Sequence, residues 1–383
     1  MIPTLYKSAL HPLEVKALLK MKLSGNKFAP SKESLKVLAG KLNDADFCCE
    51  TLNKVSRSFA VVIQQLPNDL KQAICIFYLV LRALDTIEDD MNFPLNEKVK
   101  LLRSFHAKSY DESFKLSGVG DQEDYRILLE HYDKVTRFFK AQKPHYRDVI
   151  VDINRQMGEG MALFAEKKVE SIADYDLYCH YVAGLVGIGL SELFASSGYE
   201  NMALKNQKEL SNSMGLFLQK TNIIRDYHED LFSDRTFWPK EIWGNYASQL
   251  DYFTQNPEAP QSLQCLDHMV SNALNHMPDC IDYLTMLDNQ QIFRFAAIPQ
   301  VMAIATLAEV YHNPKVFTGV VKVRKGLSAK LILSNLNLKT TLMYFRKYSH
   351  VILKNSNSQQ PFYKDIVKNI KKTNDKITAI LAK

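Results

Sequence analysis

Residues 67–91 read PNDLKQAICIFYLVLRALDTIEDDM. Pro67 and Asn68 are good helix-start residues, and the run that follows is mainly apolar, with no glycine or proline inside it. Asn92 to Pro94 end it. A run of this length predicts one helix, and apolar residues on most of its faces predict burial among other helices. Its close is acidic. With about 3.6 residues per turn, Tyr78, Arg82, Asp85 and Asp89 share one stripe and Glu88 lies beside it. Two carboxylates one turn apart repel by a few tenths of a kcal/mol when exposed. The cost is larger where they are partly buried, and a cation reverses its sign.

The rest of the chain has the same character. It holds 383 residues with only 14 glycines and 13 prolines, so turn chemistry is scarce and long helices are favoured over many short strands. Helices are predicted within 31–66, the second starting near Ser56 or Ser58, and over 96–115, 123–140, 144–166, 172–197, 205–231, 260–287 and 292–312, the last kinked at Pro299. No alternating strand pattern and no fixed-period repeat stands out. One all-α domain with a single core is the primary expectation; two helical subdomains divided near QNPEAPQS (255–262) are the alternative. The six cysteines show no zinc spacing and read as buried free thiols of a reducing compartment. No signal peptide is visible. The best apolar runs, 73–81 and 181–190, are about half of the ~20 residues a bilayer needs. From Lys315 onward there are 15 Lys and Arg against Asp365 and Asp375, a balance of +13, which leaves −7 of the overall +6 for the preceding chain. An acidic body suits cations, and a basic tail suits phosphates or an anionic membrane surface.

A second acidic stretch, LQKTNIIRDYHEDL, occupies 218–231. Gln219, Asn222, Asp226 and Asp230 step by 3, 4 and 4, one polar stripe on a helix otherwise carrying Leu216, Leu218, Ile223 and Ile224. Carboxylate and amide oxygens alone are what a hard cation such as Mg²⁺ prefers, usually shared with substrate phosphates. His228 points about 200° away from Asp226 and is given a structural role. Either acidic stretch alone also reads as a solvated helix end with ordinary ion pairs. Both lie on apolar helices with an arginine nearby, Arg82 and Arg225. Two D-x-x-x-D stripes facing each other across a helical bundle would clamp a diphosphate through bridging metals.

These segments carry a family resemblance. VSRSFAVVIQQLP (55–67), FYLVLRALDTIEDDM (77–91), YCHYVAGLVGIGLS (178–191), LQKTNIIRDYHEDL, FWPKEIW (237–243) and FAAIPQVMAIATL (295–307) resemble the squalene synthases, in that family's order and across residues 50 to 330. The resemblance implies the all-α isoprenoid synthase helical bundle around a central cavity, with an N-terminal extension over 1–31, the catalytic domain over 32–345 and a basic segment over 346–383. It implies condensation of two farnesyl diphosphates to presqualene diphosphate, then NADPH-dependent reductive rearrangement to squalene with Mg²⁺, in sterol biosynthesis. Carried over by position, Asp85, Glu88 and Asp89 resemble the first metal-binding motif and Asp226 and Asp230 the second, assisted by Asn222. Tyr178 resembles the catalytic tyrosine of the first half reaction, together with Asp85, Asp89, Asp226 and Asp230. Ser56, Arg57, Arg82, Gln219, Asn222 and Arg235 are the diphosphate-facing candidates. Arg57, Arg82, Arg225, Lys322 and Arg324 are the NADPH candidates.

Other pieces have both a structural and a functional reading. Gly184, Gly187 and Gly189 interrupt a helix at about 1 kcal/mol each relative to Ala, which makes room for a farnesyl chain or allows close helix packing. VVKVRKGL (320–327) reads as a loop whose alternate cations point one way, suited to a cofactor phosphate; no G-x-G-x-x-G accompanies it. Trp238 and Trp243 read as a buried corner. Phe293, Phe295, Pro299 and Gln300 line a second-half-reaction pocket or pack the core. Squalene synthases typically end in a hydrophobic anchor, whereas this chain stops at NDKITAILAK, so a soluble truncated form of a monomeric enzyme of the endoplasmic reticulum membrane, cytoplasmic face, is expected. Phytoene or dehydrosqualene synthase is the nearest rival; a catalytically silent helical scaffold is opposed by both acidic stripes. Nucleic acid is not an expected partner, because aromatics are sparse among the tail's cations.

Overall fold

The computed structural model describes residues 14, 16, 17, 31, 33–233, 235–334 and 336–382, with the backbone alone at Arg57 and Ser58. Among them there is no strand. The principal helices are α1 (Asp44–Val55), α2 (Arg57–Ile63), α3 (Asn68–Asp89), α4 (Leu95–Lys108), α5 (Pro144–Glu166), α6 (Ile172–Cys179), α7 (Leu185–Ser196), α8 (Lys208–Arg225), α9 (Tyr227–Phe232), α10 (Pro260–Leu274), α11 (Met277–Thr285), α12 (Gln290–Val310), α13 (Lys325–Leu333), α14 (Leu338–Asn355) and α15 (Tyr363–Leu381). Asn43 accepts from the Asp46 N–H to start α1, and Ser171 and Asp174 form a capping box at α6.

The opening stretch is one helix, as expected, and thirteen of its residues from Leu70 to Ile87 are buried. Other expected helices are shorter or broken, each for a local reason. The one expected over 260–287 stops at Leu274 and resumes at Met277, because Pro278 has no N–H for an i−4 bond and fits only a first turn. That over 123–140 breaks at His131, whose φ of −118° and ψ of 30° leave the helical region. The helix over 172–197 contains a π-helical turn at His180–Gly184. The one over 205–231 begins at Lys208 and breaks at Asp226. Helix α12 runs through Pro299.

The described chain forms two compact units. One comprises Lys20–Lys167 and Ile188–Asn206. In it α3 is the central element, packed by α1, α4, α5 and the short helices Glu123–Glu130 and Tyr132–Lys140. The other comprises Lys168–Gly187 and Gln207–Lys383, with the described residues of Met1–Leu19. Here α8 is central, touched by α6, the π turn, α10, α11 and α12. Each acidic stretch therefore leaves the C-terminal end of the central helix of its own unit. By length and composition, Ile172–Ser196 and Gln290–Val310 are apolar enough to cross a membrane, although no such span was expected from the sequence; 72% of the second is buried in the protein, as a core helix is.

The second unit contains a strained, titratable contact. His312 is the one non-glycine residue with positive φ among those described, at 52°. Its Nδ1 lies 2.9 Å from Oδ2 of Asp267, which is 1% exposed. That hydrogen bond raises the imidazole pKa above its usual value, outweighing the opposing effect of burial. A folded-state pKa above the unfolded one stabilises below about pH 6.5 and is lost as pH rises through the folded value. His312→Asn, which tolerates the left-handed backbone, is expected to lower the melting temperature most near pH 6 and progressively less toward pH 8.5. A deficit constant across that range would show that the pair carries no charge.

Candidate active site

The first acidic stretch occupies the last turn of α3. Asp85, Glu88 and Asp89 are half-buried, and no basic residue lies in that turn. A helix C-terminus is the negative end of the macrodipole, so carboxylates there are unfavourable unless a cation is supplied. Two cations are in place. Arg82 Nη1 is 3.5 Å from Asp85 Oδ2, and its guanidinium lies 5.8 Å from the Tyr78 ring centroid and 5.4 Å from that of Tyr125. Burial works against the Arg82 charge, but Asp85 and the two tyrosines outweigh it and raise the pKa further. Lys98, 6% exposed, reaches across from α4 and donates Nζ to the Glu88 carbonyl at 2.8 Å. Sequence reading missed Lys98, because a lysine on an amphipathic surface helix carries no local signal of this contact. Asp90 faces inward, accepting from the Gly120 N–H at 2.6 Å and the Asn92 N–H at 2.9 Å. Gly120 has φ of 118°, and a Cβ there would stand 2.8 Å from Thr86 Cγ2, so the loop needs glycine. Ser56 is the junction of α1 and α2, capping one and starting the other as expected. The Arg57 side chain lies outside the described residues.

In the second stretch the structure corrects the continuous helix. Asp226 (φ −95°, ψ 8°) closes α8 and opens α9. The register survives, since the Asp226 N–H donates to Asn222 at 2.8 Å and the Asp230 N–H to Asp226 at 2.9 Å. Gln219, Asn222, Asp226 and Asp230 are all half-buried beside buried Lys220, Thr221, Ile223, Ile224 and Tyr227, so the polar stripe is real. The break has a chemical consequence. Successive side chains diverge on a regular helix, yet Arg225 Nε donates to Asp226 Oδ1 at 2.7 Å. Burial disfavours the Arg225 charge, but this bond and the nearby Glu229 and Asp230 leave its pKa raised. His228 packs on the Phe232 ring at 4.7 Å, consistent with a structural role.

Tyr178 is the penultimate residue of α6, with Cys179 between it and the π turn, and is 3% exposed. Its ring stacks on Phe237 with centroids 4.6 Å apart and planes at 16°. The Arg235 guanidinium lies 5.2 Å from the Phe237 centroid, and Arg235 is linked to Asp230 by its own N–H (2.9 Å to the carbonyl) and by Nη2 (3.9 Å to Oδ1). Residues 235–239 thus join the second acidic stretch to Tyr178. Trp238, 2% exposed, pins that segment by donating Nε1 to the Ile223 carbonyl at 3.2 Å; Trp243 is only half-buried. Behind Tyr178, buried Lys220 ties α6 to α8 through Asp176 at 2.6 Å and reaches Asn272 of α10 at 2.7 Å.

The glycines resolve toward packing. A Cβ at Gly184 would lie 1.9 Å from Asn212 Oδ1, and one at Gly187 would lie 2.1 Å from the Ser211 carbonyl oxygen. One at Gly189 would meet Phe77 and Ile153 side chains at 2.7 and 2.8 Å. At each of the three, the space a side chain would take is filled by protein. In α12, Phe293, Phe295 and Gln300 are buried and Pro299 half-buried; Gln300 donates to the Met214 carbonyl at 3.0 Å, a core role.

The basic loop also differs from expectation. Residues 320–324 are irregular, as predicted, but Lys322 is exposed while Arg324 turns to Glu14, with Nε and Nη2 at 3.1 and 3.0 Å from its carboxylate. In both Arg225 and Arg324, Nε and Nη2 are already given to a carboxylate, which leaves Nη1 as the nitrogen facing any cofactor phosphate without exchange of partners. Among the described residues, no three His, Cys, Asp or Glu side chains gather as a complete metal cage. The oxygen-only donors at each helix end fit Mg²⁺, which takes one or two carboxylates and fills its shell with water and phosphate oxygens.

The profile of the squalene/phytoene synthase family matches residues 52–326. The chain belongs to that family. Squalene synthase of Rattus norvegicus is 43% identical over 364 residues, 94% of this chain and 86% of its own length. Squalene synthase BSS of Botryococcus braunii is 50% identical over 316 residues, 81% of this chain and 68% of its own length. The solved complex of TcSQS with the ligand BPH1237 matches with a TM-score of 0.85 at 44% identity, covering 88% of this chain and 99% of that one. The squalene synthase HpnC of Alicyclobacillus acidocaldarius, 16% identical with a TM-score of 0.51, shares the fold. The expected all-α isoprenoid synthase fold is therefore the one observed, and the chain is a transferase grouping with the squalene synthases of the family.

Proposed function

We propose that the chain condenses two farnesyl diphosphates to presqualene diphosphate and then rearranges and reduces that intermediate with NADPH to squalene. The observation that supports this best is the position of the carboxylates. Asp85, Glu88 and Asp89 end one buried helix, and Asp226 and Asp230 straddle the end of another. At the negative end of α3 such groups become favourable with added cations, while Asp226 and Asp230 also stand at the start of α9. Mg²⁺, when bound there, would stabilise charge on the leaving diphosphate, and NADPH would supply the hydride of the second half reaction. The residues that would hold the metal are Asp85, Glu88 and Asp89 in one unit and Asn222, Asp226 and Asp230 in the other.

The chain's own groups supply the remaining chemistry. Arg82, Arg225 and Arg235 lie beside those carboxylates and offer N–H donors to a diphosphate as its negative charge grows. Gln219 and Asn222 add neutral oxygens and amide donors on the same stripe. Tyr178 relays the proton lost as the new ring closes: a phenol is a weak base alone, so its oxygen accepts that proton while its own passes to the released diphosphate. Buried packing around Tyr178 keeps water from the carbocation. Lys322 remains the exposed cation for the NADPH phosphate. The same reading places the enzyme as a monomer at the cytoplasmic face of the endoplasmic reticulum membrane.

Incubation with labelled farnesyl diphosphate and Mg²⁺ tests the reading through its products. Presqualene diphosphate is expected to accumulate without NADPH and squalene to form with it. A product distribution indifferent to NADPH would favour a phytoene-synthase type of reaction instead.

A further inference from the structure

We propose that Phe237 is a positioning residue that holds the Tyr178 phenol and the Arg235 guanidinium at a fixed spacing. The proposal rests on the reading of Tyr178 as the group that handles the proton. Phe237 touches both partners, with the Tyr178 ring stacked at 4.6 Å and the Arg235 guanidinium 5.2 Å from its centroid. A parallel aromatic stack restrains the tilt of both rings, and a cation on an aromatic face is held by the ring's quadrupole.

The backbone that carries Phe237 is itself fixed on both sides. Two residues earlier, the Arg235 N–H is bonded to the Asp230 carbonyl at 2.9 Å. One residue later, Trp238 is bonded to the Ile223 carbonyl and packs on Tyr227 and Phe317 at 4.8 and 6.2 Å. Trp238 does the core packing of this corner. Phe237 is only half-buried, with exposed Thr236 before it, so its ring is not needed to fill the interior. What its ring does is link two polar groups. One is the phenol, which must meet the reacting carbon. The other is the guanidinium tied to Asp230, where a diphosphate oxygen would arrive. Their separation sets how far the proton travels relative to the departing diphosphate, and an error of about 1 Å in such a spacing costs on the order of 100-fold in rate.

The test uses Phe237→Leu, Phe237→Tyr, Tyr178→Phe and the double variant Phe237→Leu/Tyr178→Phe. Farnesyl diphosphate consumption is followed in single-turnover and steady-state experiments, with a melting curve for each protein. Phe237→Leu is expected to lower kcat by about 10- to 100-fold with KM and melting temperature near wild type. Phe237→Tyr, which keeps the stack, restores most of the rate and also covers the case in which the leucine variant folds poorly. In the Tyr178→Phe background the leucine substitution costs clearly less than in the wild type, because the part of its effect that runs through the phenol is already gone. Wild-type rates in Phe237→Leu alongside an inactive Tyr178→Phe would overturn the proposal and leave the reading of Tyr178 intact. An equal further loss in the double variant, or no rescue by tyrosine, would also overturn it by assigning Phe237 to packing. Full activity of Tyr178→Phe would overturn the underlying reading, and the proposal with it.

Discussion

Asp226→Asn is expected to lower turnover by about 100- to 1,000-fold, the scale seen when one preorganised electrostatic partner of a transition state is removed. Asn is nearly isosteric and keeps one oxygen, so the fold should tolerate it. The structural cost falls on Arg225, which donates Nε and Nη2 to the two carboxylate oxygens of Asp226 and keeps one acceptor in the amide. A hydrogen bond to a charged group contributes about 1.5–3 kcal/mol. Here Glu229 and Asp230 still act on the Arg225 charge. The expected signature is therefore a collapse of kcat with only a small shift in melting temperature. The opposite pattern, activity retained and melting lowered by many degrees, would make Asp226 the anchor of an ion pair and nothing more.

The largest expected effect on stability comes from Gly215→Ala. Gly215 lies on α8 against the π turn, and a Cβ there would stand 2.1 Å from the Ala183 carbonyl oxygen and 2.7 Å from the Gly184 nitrogen. Gly187 meets the Ser211 carbonyl in the same way, so two backbones touch at these two glycines, while Gly184 faces the Asn212 side chain. A methyl group aimed at backbone cannot be accommodated by a rotamer change. Overpacking costs about 1–3 kcal/mol and sometimes more, and the upper end applies where backbone must move. At about 2–4 °C per kcal/mol for a domain of this size, a fall of roughly 6–12 °C is expected. Gly319→Ala, with nothing within 4 Å of its added methyl, is the matched control and should melt near wild type. Equal melting of the two variants would contradict the close approach of α8 and the π turn.

What could be read from the sequence was what local periodicity encodes. The apolar run after Pro67 gave α3 with its acids on one stripe, and the stripe from Gln219 to Asp230 is half-buried as its spacing predicted. Ser56 stands at the expected helix junction, without a side-chain cap bond, and Trp238 is buried as expected. What escaped was decided by groups distant in sequence. The break at Asp226 has no glycine or proline beside it to mark it; next to it, Tyr227 is buried with its hydroxyl bonded to the Leu250 carbonyl at 2.6 Å. Glu14 takes Arg324 from 310 residues away, and Lys98 caps α3 from the next helix. The glycines of 184–189 were ambiguous because a missing side chain looks the same whether a ligand or a backbone fills the space. The Tyr178–Phe237 stack has no sequence signal at all, since both residues read equally well as ordinary core aromatics.

The measurement that bears most directly on the central claim is release of diphosphate from farnesyl diphosphate as a function of Mg²⁺. The account predicts no release after complete chelation, recovery on adding Mg²⁺ back, and loss of that recovery in Asp226→Asn. Release at the same rate in chelator as in Mg²⁺, or no release at any metal concentration from a correctly folded protein, would contradict it.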